Sequence, residues 1–255
     1  MTIWDPGQYL RYGDERLRPG FELLARVGDL PPGDLWDLGC GTGAHLRAIA
    51  ARWPGRRAVG FDSSAEMLAK AAAEGEGIEW REGRVEGWQP ETPPALVFSN
   101  AALQWVDGHE TLIPRLLRAL APGGVLAIQM PRNFDQPSHV LMRDVASTGP
   151  WASRLAPLLR PDPVAPPAVY YDLLAPLART LDIWETEYQH VLKGEAPVLE
   201  WVRGTALRPL LEPLQPSERA AFETAYQARL AEAYPRRANG TTLFPFRRIF
   251  IVARA

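Results

Sequence analysis

The 255-residue chain has one cysteine, Cys40, and so cannot form an internal disulfide. Its four histidines, His45, His109, His139 and His190, show no metal-ligand spacing among themselves, and no metal is expected. No apolar run approaches the roughly 20 residues of a membrane helix. The opening "MTIWDPGQYLRYGDERLRPG" has no uninterrupted apolar core of the kind a signal peptide carries, so the expected setting is the cytoplasm, away from membranes. Positive charge is not in excess: 28 Lys and Arg stand against 30 Asp and Glu, a formal net charge of −2. That argues against a nucleic-acid partner, which calls for a basic face. Internal repeats and low-complexity tracts are absent as well. Lysine is nearly absent, occurring only at Lys70 and Lys193, so arginine carries the positive charge. Genomic base composition produces such a bias, but arginine is also the side chain that grips carboxylates with a planar fork.

What is present is a chain long enough for a substantial core, 46% hydrophobic and 23% charged, with strands and helices in alternation. "DLWDLG", "RAVGFD", "IEWRE", "ALVFSN" and "VLAIQM" read as strands; "AHLRAIAARW", "AEMLAKAAAEG" and "TLIPRLLRAL" read as the helices between them. Ser63 or Ser64 suits the N-cap of the second of these helices. Such alternation predicts right-handed crossovers and a parallel sheet covered on both faces. Prolines crowd residues 131–176, notably "PLLRPDPVAPP", which suggests a connecting or inserted segment. "LDIWETEYQHVL" and "RRIFIVARA" read as two further strands, and the helices between them include one opened by Pro216 and Ser217. The expectation is an α/β chain with a mostly parallel seven-stranded sheet and an antiparallel edge strand. It is organised as one domain over 1–255: an N-terminal helical segment over 1–30, a ligand-binding core over 31–131, and helical segments over 132–181 and 193–240.

The stretch "WDLGCGTGA" strips the main chain bare at a strand-to-helix turn, where the backbone can approach a ligand and the helix start offers free amides. Gly39, Gly41 and Ala44 satisfy the dinucleotide pattern G-x-G-x-x-G/A, which on its own admits a nicotinamide cofactor. Asp62 ends the next strand, 19 residues after Gly43, where an acid accepts hydrogen bonds from ribose hydroxyls. Asp37, just before the glycines, discriminates: a carboxylate there repels a pyrophosphate and attracts a cationic amino-acid moiety.

"DLGCGTG" with its flanking strand and helix resembles the first motif of the class I S-adenosylmethionine-dependent methyltransferases, which have a Rossmann-like fold. "WDPGQYL", "RVEGWQP", "SNAALQWV", "LAIQMPRNFDQPSHVLMRDVA", "WVRGTALRPLL" and "RRIFIVAR" extend the likeness over the whole chain, to the branch that methylates a carboxylate of trans-aconitate. The resemblance implies that S-adenosylmethionine is the cofactor and S-adenosylhomocysteine the product. Cys40, Thr42 and Gly43 complete the cofactor loop, Asp62 and Ser63 lie at the ribose, and Met67 packs on the adenine. Where family members carry a carboxylate for the adenine amino group, this chain has Arg84. The main-chain amide of Val85 remains, and Glu82 or Glu86 offers an alternative acceptor. A related branch that methylates malonyl groups on an acyl carrier protein shares an "LQW" segment and is the second reading.

Methyl transfer to an ionised carboxylate needs alignment rather than a base, so no catalytic residue is expected. Cys40 is read as a small packing residue, not a nucleophile. After the fourth strand, Asn100 and Trp105 are placed on the cofactor and Gln104 on the acceptor. Trp4 and Tyr9 are placed in a lid, which the resemblance implies. His139 and Arg143, one helical turn apart, project from one face. With Arg203, Arg208 and Arg248 they form the set expected to grip a small polycarboxylate, in a protein expected to act as a monomer.

Overall fold

The computed structural model of the chain describes residues 17–159, 162–204 and 206–255. Trp4 and Tyr9 lie outside the described residues. The chain forms strands β1 (Leu35–Leu38), β2 (Ala58–Asp62), β3 (Glu79–Glu82), β4 (Leu96–Asn100), β5 (Val125–Pro131), β6 (Thr180–Leu192) and β7 (Thr242–Arg254). They make one seven-stranded sheet in the order β3-β2-β1-β4-β5-β7-β6. The pairs β1–β2, β1–β4, β2–β3 and β4–β5 are parallel. β7 runs the other way: Gly123 and Gly124 pair with Ala255 at one end, and Arg132 donates to the Arg247 carbonyl at the other. The antiparallel edge expected from the sequence is thus at β7 and β6. β1 is buried at every residue and β5 at all but its last, as strands covered on both faces must be. The chain reverses strand order at β1, with β2 on one side and β4 on the other, and this is where an open α/β sheet forms its ligand crevice.

Helices α1 (Arg18–Arg26), α2 (Ala44–Arg52), α3 (Ala65–Ala73) and α4 (His109–Arg118) belong to the part that carries β1–β5. α3 starts where a cap was expected, at Ser64, whose hydroxyl accepts from the Met67 amide at 3.3 Å. Among the described residues no helix is long and apolar enough to cross a membrane.

Two compact units emerge. The first comprises residues up to Pro131 with Val164–Thr186 and Ile249–Ala255; the second comprises Arg132–Pro163 and Glu187–Arg248. The proline-rich stretch is more than a connector. Within it lie α5 (Pro137–Thr148), α6 (Ala152–Leu155) and α7 (Pro167–Leu174), and α5 supplies Met142, Val145 and Ala146 to the second unit's core. There they join Phe222, Tyr226 and Leu230 of α10 (Pro216–Ala233), along with residues of α8 (Pro197–Arg203) and α9 (Arg208–Leu211). Proline marks the first turn of these helices, at Pro137, Pro197, Pro209 and Pro216, where a missing N–H costs nothing.

Candidate active site

The glycine loop leaves the end of β1 and is fastened to β2. The amides of Gly39 and Cys40 both donate to the Phe61 carbonyl, at 2.7 and 3.2 Å. Asp62 extends the clasp with both carboxylate oxygens: Oδ2 accepts from the Gly41 amide at 2.8 Å and Oδ1 from the Ser64 amide at 2.9 Å. One acid therefore ties the loop to the start of α3 and keeps lone pairs on both oxygens for a further donor.

The three glycines of the loop have different reasons to be glycine. All adopt left-handed φ: 77° at Gly39, 53° at Gly41 and 78° at Gly43. A Cβ on Gly39 would overlap the Ala102 methyl, and one on Gly43 would enter the Trp80 ring. Those two are glycines for packing. Gly41 alone faces open space, with nothing within 4 Å of a Cβ built there, so this is where a ligand can lie against bare backbone.

Asp37 is 2% exposed, and its Oδ2 has no hydrogen-bond partner among the described residues. Burial, reinforced by the charge of Asp62, pushes its carboxyl up to about 8. β1 pairs with β4 so that Asp37 sits opposite Phe98. Asn100, two residues beyond Phe98, therefore shares the sheet face of Asp37. The Asn100 Oδ1 atom is also buried without a partner among the described residues.

Beyond β4 the chain turns through Ala101, the one described non-glycine with positive φ, at 54°. A left-handed alanine stores strain that its surroundings must hold. Gln104 Nε2 donates to the Ala101 carbonyl at 2.6 Å, and the Ala101 amide donates to the Gln129 carbonyl at 2.9 Å. Gln104 Oε1 is buried and partnerless among the described residues, and Nε2 keeps a second N–H beyond the one given to Ala101. His109 pins the short turn Leu103–Trp105: Nε2 donates to the Leu103 carbonyl and Nδ1 accepts from the Tyr170 hydroxyl, both at 2.8 Å. Sequence reasoning missed His109 and Tyr170 as supports of this loop, because 61 residues separate them. Trp105 is not a core aromatic but is 54% exposed, and Met67 is exposed on α3.

Cys40 is buried, and burial followed by Asp37 and Asp62 drives its thiol well above the usual range. A thiol raised in this way is a weak nucleophile near neutral pH. Arg84 points outward with 76% of its side chain exposed, and pairs with Glu86 at 2.7 Å. The Val85 carbonyl is taken by Arg115 at 3.0 Å.

In the second unit, Arg143 donates to the Phe134 carbonyl at 3.0 Å and to Asp162 at 3.4 Å. His139 is buried beside Phe134, and burial followed by the Arg143 charge lowers it to about 4, so it is neutral near pH 7. Arg203 is held between Glu200 and Glu223, while Arg208 is exposed at the start of α9. Arg248 is buried with its guanidinium 4.5 Å from the Phe246 ring centre. The structure brings together His139 and Arg143 on α5; Arg203 instead spends its charge on two glutamates. Among the described residues no cluster of three or more His, Cys, Asp or Glu could hold a metal.

Residues 36–124 match the family described as a methyltransferase domain. A trans-aconitate 2-methyltransferase from Azoarcus sp. is 50% identical over 253 residues, covering 99% of both chains. One from Streptomyces avermitilis is 50% identical over 262 residues, covering 99% of this chain and 97% of the relative. Among solved structures, the YcgJ protein from Bacillus subtilis superposes with a TM-score of 0.59 at 13% identity, over 92% of this chain and 96% of that one. A Haemonchus contortus phosphoethanolamine N-methyltransferase solved with S-adenosylhomocysteine gives 0.55 at 15% identity, over 99% of this chain and 58% of that one. At those identities the structures speak for the fold alone.

Proposed function

The chain belongs to the trans-aconitate 2-methyltransferase family, and from that premise we propose that it transfers a methyl group from S-adenosylmethionine to a carboxylate of trans-aconitate, giving a monomethyl ester. The observation that carries the donor side is the buried Asp37, whose Oδ2 has no hydrogen-bond partner among the described residues, on the strand that leads to the open backbone of Gly41. Asp37 Oδ2, Asn100 Oδ1 and Gln104 Oε1 are all acceptors, which suits an ammonium with its three N–H donors and suits a pyrophosphate badly. The nicotinamide alternative therefore fails on chemistry as well as on family. Gln104 Oε1 offers an acceptor to that ammonium, and the second N–H of its Nε2 remains to face the carboxylate acceptor, where the sequence placed it.

The cofactor, when bound, supplies a methyl group on positively charged sulfur, already activated for displacement. The chain's own task is to orient and to exclude water. Asp62 presents its remaining lone pairs to the ribose hydroxyls. Met67 covers the adenine, the Val85 amide meets its edge, and Ser63 and Thr42 line the loop. An acceptor carboxylate is ionised near neutral pH, so no group has to remove a proton from it. A carrier-protein acceptor finds little support: Arg154, Arg203 and Arg229 are each paired with a carboxylate rather than arrayed for an acidic partner.

Incubation with labelled S-adenosylmethionine and a panel of di- and tricarboxylates is expected to give base-labile ester from trans-aconitate first. No ester from any polyacid would remove the acceptor assignment and leave the fold untouched.

Asp37 also predicts a pH dependence. In the free protein it keeps its proton up to about pH 8, so binding a cation draws that proton off. Cofactor affinity is expected to rise from pH 6 to 8, approaching about tenfold per unit, with proton release on binding. The sign for stability is opposite. A raised carboxyl means the folded state holds a proton that the unfolded chain loses, so the free protein loses stability as pH rises from about 4 to about 8. Asp37→Asn is expected to flatten both dependences. Calorimetric titration in buffers of differing ionisation heat, with thermal melts over the same range, measures them; a pH-independent affinity in the wild type would refute the role of Asp37.

A further inference from the structure

The segment joining β5 to α5 carries a feature that none of the cofactor contacts uses. Asn133 is 1% exposed, and both its Oδ1 and its Nδ2 lack a hydrogen-bond partner among the described residues. A buried amide with neither face satisfied is costly and is kept only where something else meets it. Its main chain, by contrast, is firmly held. The carbonyl before it, that of Arg132, accepts from Arg247 Nε at 3.0 Å, and the carbonyl after it, that of Phe134, accepts from Arg143 at 3.0 Å. The Asn133 carbonyl itself accepts from the Gln136 amide at 3.1 Å. Two guanidiniums thus clamp the peptide on either side of a side chain left open, each of them also engaging a carboxylate, Arg247 that of Asp135 and Arg143 that of Asp162.

We infer that Asn133 is a specificity-determining contact for the acceptor, its Nδ2 donating to a carboxylate of the polyacid while Arg143 and Arg247 hold the loop on either side. This rests on the reading of the previous subsection. The general methyltransferase match ends at residue 124, whereas the trans-aconitate 2-methyltransferases match the chain nearly end to end. What the wider family shares is the donor, so recognition of the acceptor falls to the remainder, where Asn133 lies. An N–H donor without a partner among the described residues, held between two guanidiniums, fits a polyanion. Sequence reasoning passed over Asn133 because an asparagine in "PRNFDQP" reads as a turn residue.

The test is steady-state kinetics with trans-aconitate at saturating S-adenosylmethionine on Asn133→Ala and Asn133→Leu, with calorimetric cofactor affinity and melting temperature for each. Both variants are expected to raise the acceptor KM at least about tenfold, as the loss of a hydrogen bond to a charged group does, with cofactor affinity within about twofold of wild type. Asn133→Leu is expected to melt no lower than wild type, since it removes two unsatisfied polar atoms. A residue with a merely structural role would instead lower the melting temperature and leave KM alone. An unchanged KM, or a loss confined to cofactor affinity, overturns the assignment. If the wild type esterifies trans-aconitate and the variants keep its KM, only Asn133 is misassigned. If the wild type makes no ester, the functional reading fails first and this inference fails with it.

Discussion

Replacing Asp62 with alanine is expected to weaken S-adenosylmethionine binding by about 2–3 kcal/mol, about 30- to 150-fold, because charge-assisted hydrogen bonds to both ribose hydroxyls are lost. The clasp adds to this. Asp62 also holds the Gly41 and Ser64 amides, so its removal frees the loop whose shape the cofactor needs. Folding should suffer much less, since the Gly39 and Cys40 amides remain tied to Phe61 and the Ser64 side chain still caps α3. Asp62→Asn should fall between, because a carboxamide offers one acceptor oxygen to two amides and turns an N–H toward the other. Calorimetric titration with S-adenosylhomocysteine, paired with a thermal melt, separates the two effects. Unchanged affinity in the alanine variant would mean that the ribose lies elsewhere.

Gly39→Ala and Gly41→Ala are expected to fail in opposite ways. At Gly39 a methyl group meets a left-handed φ and the Ala102 methyl together. The conformational cost of about 1–2 kcal/mol joins an overpacking cost of about 1–3 kcal/mol, against a backbone that cannot swing aside. Urea denaturation should show a loss of about 2–5 kcal/mol of stability, the sum of those ranges. At Gly41 only the conformational cost applies, because the space beside it is open. That variant should remain folded, about 1–2 kcal/mol less stable, and lose cofactor binding as its methyl group occupies the ligand's place. Equal stability losses at the two positions would show that the loop's glycines are interchangeable, against the packing described.

The strands, the helices and the glycine loop were legible because each depends on residues close in sequence. Ser64 caps α3 across three residues, and the alternation of apolar segments fixes a covered sheet. Cys40, which the sequence reads as a packing residue of the cofactor loop, is buried. Pro216 reads as a helix start and is one, and Pro137, inside the stretch that reads as connecting or inserted, opens a helix too, because proline breaks a helix interior but starts a helix well.

The arginines show the limit. Nothing in "WVRGTALRPLL" reveals that Arg203 lies against Glu223, 20 residues away on α10. Nor does "SHVLMRDVA" reveal that Arg143 spends a nitrogen on the Phe134 carbonyl, nine residues back. A guanidinium is available to a ligand only if its neighbours in space leave it so, and those neighbours are set by how helices pack.

By itself the sequence determined the sheet, the bare-backbone loop and the acids at its two strand ends, since local spacing and hydrophobic period specify all of these. Only the tertiary structure decided which glycine is open, and that among the described residues the buried Asp37 Oδ2 and both polar atoms of the Asn133 side chain lack a partner, the latter between carbonyls clamped by arginine. Satisfaction of a buried polar group is a property of everything within hydrogen-bonding distance of it, and in a parallel sheet most of that comes from strands far apart along the chain.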